Sequence, residues 1–123
     1  MKAYDAINEF SMYSPNTLDE VVKYKWLSTA ENHVREILNS YEDNQYPMIE
    51  LSPDTNINTE LSAKEPYSEL YRHYMLAQIN LLYGDTAKYN VFAQLYESTL
   101  SEFRMWCVRT YRSKNENYYF KVV

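Results

Sequence analysis

The sequence predicts an all-α protein, a bundle of about four helices in a single domain over residues 1–123. Three observations lead to this prediction. Apolar side chains recur at steps of three and four residues through most of the chain, which is the period of one helix face. The chain has a single glycine, Gly84, and therefore little means of forming the positive-φ turns of a many-stranded β fold. Start and stop signals for helices flank the periodic stretches.

Two helices are predicted in the first third of the chain. Apolar residues at steps of three indicate a short helix over 3–13, and Pro15 ends it because the residue before a proline avoids the α region. Thr17, followed three residues later by Glu20, matches a capping box, and the helical period continues after it. We therefore expect Thr17 to cap a second helix over 17–41.

Two more helices are predicted in the second half. Pro66 suits the first turn of a helix over 66–83, and Gly84 suits the position just past its end. The short link that follows makes a fourth helix, over 86–112, an antiparallel neighbour of the third. One apolar stripe of this fourth helix is expected to face the third: Tyr89, Phe92, Tyr96, Leu100, Phe103 and Cys107.

Two segments have strand-like composition. Residues 46–61 are short and partly alternating, which predicts either a small β-hairpin or an extended excursion from the bundle. Residues 117–123 are rich in aromatic and β-branched side chains and predict a C-terminal strand. Such a strand could pair with a neighbouring protein or with the chain's own 46–61 segment, and the sequence does not choose between the two.

The chain offers little for catalysis. Its one cysteine, Cys107, lies within a helical stripe and not beside a base, and a single glycine excludes a glycine-rich phosphate loop. His33 and His73 lack the paired Glu-x-x-His spacing of di-metal bundles, so we interpret them as solvated or edge histidines. We therefore expect a protein that is not an enzyme and uses neither cofactor nor metal.

Charge and hydropathy limit the kinds of partner. A net charge of −5 argues against a protein that wraps nucleic acid by neutralising its phosphates. No apolar run approaches the ~18 residues of a membrane span. We therefore expect no membrane association, and we expect synthesis in the cytoplasm. Four cations cluster near the C-terminus of the fourth helix, where they could contact nucleic acid, but we favour the interpretation that they complement the helix dipole: Arg104, Arg109, Arg112 and Lys114.

Three stretches, in order along residues 15–111, resemble the small head–tail connector proteins of tailed bacteriophages, also called adaptor or neck proteins. The first is Pro15-Asn16 followed by Lys25-Trp26-Leu27-Ser28 and Glu31. The second is Glu65-Pro66-Tyr67-Ser68-Glu69-Leu70-Tyr71 with Tyr74, followed by Ala77-Gln78-Ile79 and Gly84-Asp85. The third is Lys88-Tyr89-Asn90 with Phe92, Tyr96, Phe103 and Arg109-Thr110.

The resemblance implies a structural protein of the virion, made in the host cytoplasm, that forms a homo-oligomeric ring of about twelve copies beneath the portal. Its expected partners are copies of itself, the portal protein, and a tail, stopper or tail-terminator protein. DNA would pass through the lumen without specific binding, since an acidic channel repels phosphates. Large aromatic side chains suit the anchors of such interfaces, and the candidates are Trp26, Tyr67, Tyr71, Trp106, Tyr118, Tyr119 and Phe120.

A second interpretation comes from a different functional class. A small helical domain of this composition could instead be a regulatory protein that binds nucleic acid or a host protein. The two differ in the salt dependence of DNA binding, which is steep for a regulator and nearly absent for a connector.

Overall fold

The computed structural model describes residues 1–42 and 45–114, with side chains described through Tyr111. Four helices account for most of these residues: α1 (Ala3–Tyr13), α2 (Glu20–Tyr41), α3 (Glu69–Leu82) and α4 (Thr86–Lys114). The prediction of an all-α bundle of about four helices is therefore confirmed. The first helix has its predicted bounds, whereas α2 and α3 each begin three residues later than expected and α4 continues two residues further.

The late start of α2 corrects the predicted cap. Asp19, and not Thr17, is the N-cap, and its side chain accepts a hydrogen bond from the amide of Val21 at 3.0 Å. Asn16 holds the residues just before α2 in a local turn, because its side chain accepts a hydrogen bond from the amide of Leu18 at 3.0 Å. Thr17 lies inside this turn and not in the helix. Asn side chains commonly form such turns where a helix has not yet begun.

A Schellman motif joins α3 to α4. Gly84 has a φ of 76°, the left-handed region that favours glycine. Its amide donates to the carbonyl of Leu81 at 3.1 Å, and the amide of Asp85 donates to the carbonyl of Asn80 at 2.9 Å. Asp85 is the N-cap of α4, because its carboxylate accepts a hydrogen bond from the amide of Lys88 at 3.1 Å. The single glycine therefore stands where the chain must reverse.

The core lies where α2, α3 and α4 meet, with α3 and α4 sharing the most extensive contact. Tyr74 of α3 packs edge-on to Tyr96 of α4, with ring centroids 5.0 Å apart, and Tyr67 lies 5.9 Å from Phe103 in the same way. The two pairs join residues in opposite order along the chain, which shows that the two helices run antiparallel. Of the stripe predicted for α4, the last four side chains are buried and the first two are half-buried, so the burial expected of this stripe is confirmed, and Tyr96 contacts α3 as predicted.

Between α2 and α3, the described residues 45–68 form no strand and include bends and turns, among them those at 53–55 and 57–58. The predicted β-hairpin at 46–61 is therefore wrong, and its alternative, an excursion from the bundle, is the one observed; we call this excursion the extended segment. The segment's second half meets the N-terminus through one isolated antiparallel bridge between Lys2 and Glu60, and the amide of Ala3 donates to the carbonyl of Thr59 at 2.9 Å. The strand predicted at 117–123 lies outside the described residues.

Candidate interaction surface

Two asparagines of α2 hold the first half of the extended segment by its main chain. Asn32 donates to the carbonyl of Ile49 at 3.0 Å and accepts from the amide of the same residue at 2.9 Å. Asn39 does the same for Tyr46, at 3.0 and 2.6 Å. Each side-chain amide thus replaces the two hydrogen bonds that a neighbouring strand would supply.

Two further side chains of α2 complete this arrangement. The Ser28 hydroxyl accepts from the amide of Leu51 at 2.8 Å, and the Arg35 guanidinium donates to the carbonyl of Pro47 at 2.8 Å. The four residues follow one another at steps of four, three and four, so they share one face of the helix. We call this face the polar stripe of α2: Ser28, Asn32, Arg35 and Asn39.

A buried carboxylate fixes the second half of the segment. Glu31 is fully buried, and its two oxygens accept four hydrogen bonds. The donors are the Tyr71 hydroxyl at 2.6 Å, the Ser62 hydroxyl and amide at 2.6 and 3.0 Å, and the Arg35 guanidinium at 2.7 Å. The Tyr71 oxygen also accepts from the amide of Ala63 at 2.9 Å. A buried charge is tolerated when it is paired and fully hydrogen-bonded, as this one is.

This network explains the state of Tyr71, one of the predicted interface anchors. Tyr71 has no exposed surface, and burial together with the Glu31 carboxylate raises the pKa of its hydroxyl well above the ordinary value. Its ring therefore belongs to the interior of the bundle and offers no contact to another molecule. In the sequence, the aromatic character of Tyr71 had suggested an interface anchor.

Three other predicted anchors are half-buried and therefore reach the surface. Trp26 packs edge-on to Phe10 with ring centroids 6.4 Å apart. Tyr67 and Trp106 lie together at the other end of the bundle, with ring centroids 6.3 Å apart, and both contact the buried Phe103. The structure therefore brings Tyr67 and Trp106 together and places Trp26 elsewhere. Tyr118, Tyr119 and Phe120 lie outside the described residues.

A cleft of about 610 Å³ opens beside Trp106. At its inner end the Glu42 carboxylate accepts hydrogen bonds from the hydroxyls of Tyr46 and Tyr111, at 2.8 and 3.0 Å. At its rim the Lys64 ammonium lies 5.9 Å from the centre of the Trp106 ring. We call this the Trp106 cleft, and its walls are Met1, Leu38, Glu42, Tyr46, Glu60, Leu61, Ser62, Lys64, Glu65, Trp106 and Tyr111.

The two histidines differ in environment. Nδ1 of His33 lies 2.6 Å from the Tyr96 hydroxyl, at the edge of a groove of about 400 Å³ between α2 and α4. His73 is buried, which contradicts its interpretation as a solvated or edge residue, and burial lowers the pKa of its ring. Within residues 1–42 and 45–114, no three side chains of histidine, cysteine, aspartate or glutamate come together as metal ligands would.

Cys107 is fully buried on α4. Burial raises the pKa of its thiol to about 11, so the sulfur is protonated at neutral pH. A protonated, enclosed thiol is a poor nucleophile and a poor metal ligand.

The far end of the α3–α4 hairpin exposes apolar side chains. Leu81, Leu82 and Tyr83 end α3 with 55, 58 and 60% of their surface exposed. Val91 and Leu95, one turn apart on α4, are also exposed. We call these five residues the apolar tip. Exposed apolar side chains near one end of a helical hairpin can provide a site of contact with another molecule.

The comparisons with known proteins add no relative: no protein-family model, no curated protein and no solved structure matches the chain. In the part of the chain that the structure describes, none of the helices is long and apolar enough to cross a membrane.

Proposed function

We propose that this chain is a structural connector of a tailed-bacteriophage particle, which assembles with copies of itself into a ring beneath the portal and joins the capsid to the tail. The proposal begins with the resemblance of three stretches over 15–111 to such proteins. The protein would act by fitting its neighbours in shape and chemistry and would catalyse no reaction.

The apolar tip is the observation that carries the proposal. A ring of identical chains is built from one repeated contact in which each chain presents two different surfaces to its two neighbours. The tip offers one such surface, because its side chains gain burial only when another chain covers them. The half-buried rings of Trp26 and Tyr67 offer aromatic anchors for further contacts with neighbours in the particle.

The test is the assembly state of the purified protein, alone and mixed with the portal protein of the same phage, measured by native mass spectrometry and negative-stain microscopy. We expect closed rings of about twelve copies in at least one condition. Monomers in both conditions would contradict the proposal. DNA binding that falls steeply with salt would instead favour the regulatory interpretation.

A pair of matched variants tests the role of the tip. Leu82→Asp places a charge in the apolar tip and should abolish ring formation while leaving the helical circular dichroism unchanged. Met105→Asp is the control, since Met105 has a similar exposure of 54% and lies fourteen residues beyond Val91 on α4, about 21 Å along the helix. If both variants assemble like the wild type, the tip is not the ring contact.

A further inference from the structure

We infer that the Trp106 cleft is the docking site of the chain's own C-terminal segment, residues 115–123, whose aromatic side chains enter it. This inference does not depend on the connector proposal. It concerns which surface of the bundle receives the most aromatic stretch of the sequence, Tyr118-Tyr119-Phe120.

The cleft has the size of a binding site. Its volume of about 610 Å³ lies within the ~300–1,000 Å³ of pockets that bury a small ligand. Its walls combine aromatic and aliphatic side chains with five charged or polar ones, so it suits an occupant whose aromatic rings carry polar tips, as tyrosine rings do. Trp106 is half-buried there, so an apolar occupant would cover the remaining part of its ring and gain the free energy of that burial.

The position where the chain leaves α4 selects the occupant. Tyr111 forms part of the cleft wall, through its hydrogen bond to Glu42, and the described chain ends three residues later at Lys114. Tyr118 follows Lys114, the last residue of α4, by four residues, and four extended residues span at most about 14 Å. The aromatic segment is therefore tethered within reach of the cleft. A short tether gives an effective concentration in the millimolar range, which a separate molecule seldom matches.

The cation that follows the aromatic run suits the cleft, although Glu116 leaves the side chains of residues 115–123 without net charge. The cleft carries three carboxylates, from Glu42, Glu60 and Glu65, against the ammonium of Lys64 and the N-terminal amine. The N-terminal amine is already paired with Glu60 at 2.6 Å, whereas Glu65 is exposed at the rim. The segment carries Lys121 directly after its aromatic run, so insertion of the rings brings this cation to an acidic rim.

Trp106 itself reports on the occupancy of the cleft. The chain has two tryptophans, so Trp26→Phe leaves Trp106 as the sole indole. In that background we compare the full chain with a variant carrying serine at 118, 119 and 120, and measure tryptophan emission and acrylamide quenching. Loss of the aromatic run should shift the Trp106 emission to longer wavelength and raise its quenching constant. Unchanged emission and quenching would overturn the inference.

The matched control is Trp106→Phe, which leaves Trp26 as the reporter away from the cleft. The same three serines should leave the Trp26 signal and the helical circular dichroism unchanged. A change in both tryptophans with loss of helix would show that the segment supports the whole bundle, and this would also overturn docking in the cleft. The single variant Phe120→Ser, which perturbs folding less, should shift the Trp106 signal in the same direction.

Dilution distinguishes the chain's own segment from that of a second copy. Quenching of Trp106 in the full chain is measured over a hundredfold range of protein concentration, with the molecular mass measured at each point. A docked segment of the same chain gives quenching that does not depend on concentration. Quenching that rises as the protein is diluted would assign the cleft to a second copy and overturn the inference as stated.

Discussion

Replacing Tyr71 by phenylalanine removes one oxygen atom from the interior and leaves the ring in place. The lost hydroxyl donates to the Glu31 carboxylate at 2.6 Å and accepts from the Ala63 amide at 2.9 Å. A hydrogen bond to a charged group contributes about 1.5–3 kcal/mol, and a buried amide left unpaired costs about 1–3 kcal/mol. Because neighbours in such a network relax together, we expect a total loss of about 2–4 kcal/mol of unfolding free energy.

The assay is equilibrium unfolding in urea, followed by circular dichroism. With a slope of about 2 kcal/mol per molar urea, in the middle of the range for small domains, the midpoint should fall by about 1–2 M. Tyr83→Phe is the matched control, because the side chain of Tyr83 is 60% exposed and its change should stay within about 0.5 kcal/mol. If the Tyr71 and Tyr83 variants unfold at the same midpoint, the buried network does not stabilise the fold and the reasoning from it fails.

Three further predictions concern stability in urea. Asp19→Ala should cost about 1 kcal/mol because it removes the cap of α2, while Thr17→Ala, outside the helix, should cost far less; equal losses would restore Thr17 as the cap. Leu100→Ala should cost about 2–5 kcal/mol because it opens a cavity in the buried stripe, and a loss below 1 kcal/mol would place that stripe at the surface. Unfolding free energy should fall as the pH rises from about 9 to 11; the Cys107 thiol contributes because, with its pKa raised to about 11, it keeps its proton in the folded chain after the unfolded chain has lost it, and buried tyrosines such as Tyr71, whose pKa is also raised, add to the fall. Cys107→Ala should make this fall less steep, and a curve as steep as that of the wild type would contradict the contribution of the thiol.

The helices could be predicted because one apolar period runs through each of them. The stripe that includes Phe103 and Cys107 is buried where the period places it. The beginning of α2 could not be placed as well, because Thr17 and Asp19 both suit an N-cap and the choice depends on the turn that Asn16 forms before them. A capping pattern in a sequence names several candidates, and local hydrogen bonds decide among them.

The buried polar network was not predicted, for a different physical reason. Apolar periodicity assigns charged and amide residues to the solvated face, so Glu31 and Asn32 were not expected to bind the 46–63 segment. The available signal was the recurrence of small or amide side chains at the helical period, from Ser28 through Asn32 to Asn39. Such a row of groups can satisfy an extended chain whose own residues show no clear strand pairing.

The polar stripe of α2 has a consequence for how freely the 46–51 segment can vary in sequence. The stripe binds main-chain amides and carbonyls. Every residue supplies the carbonyl, and every residue except proline supplies the amide. Exposed side chains there, such as Met48 and Glu50, can therefore drift without displacing the segment from its path. Proline is the exception, and it is acceptable at Pro47, where α2 uses the carbonyl. At Ile49 or Leu51 it would remove an amide that α2 binds, so selection against proline should be strict at these positions, and the buried side chain of Leu51 restricts that position further.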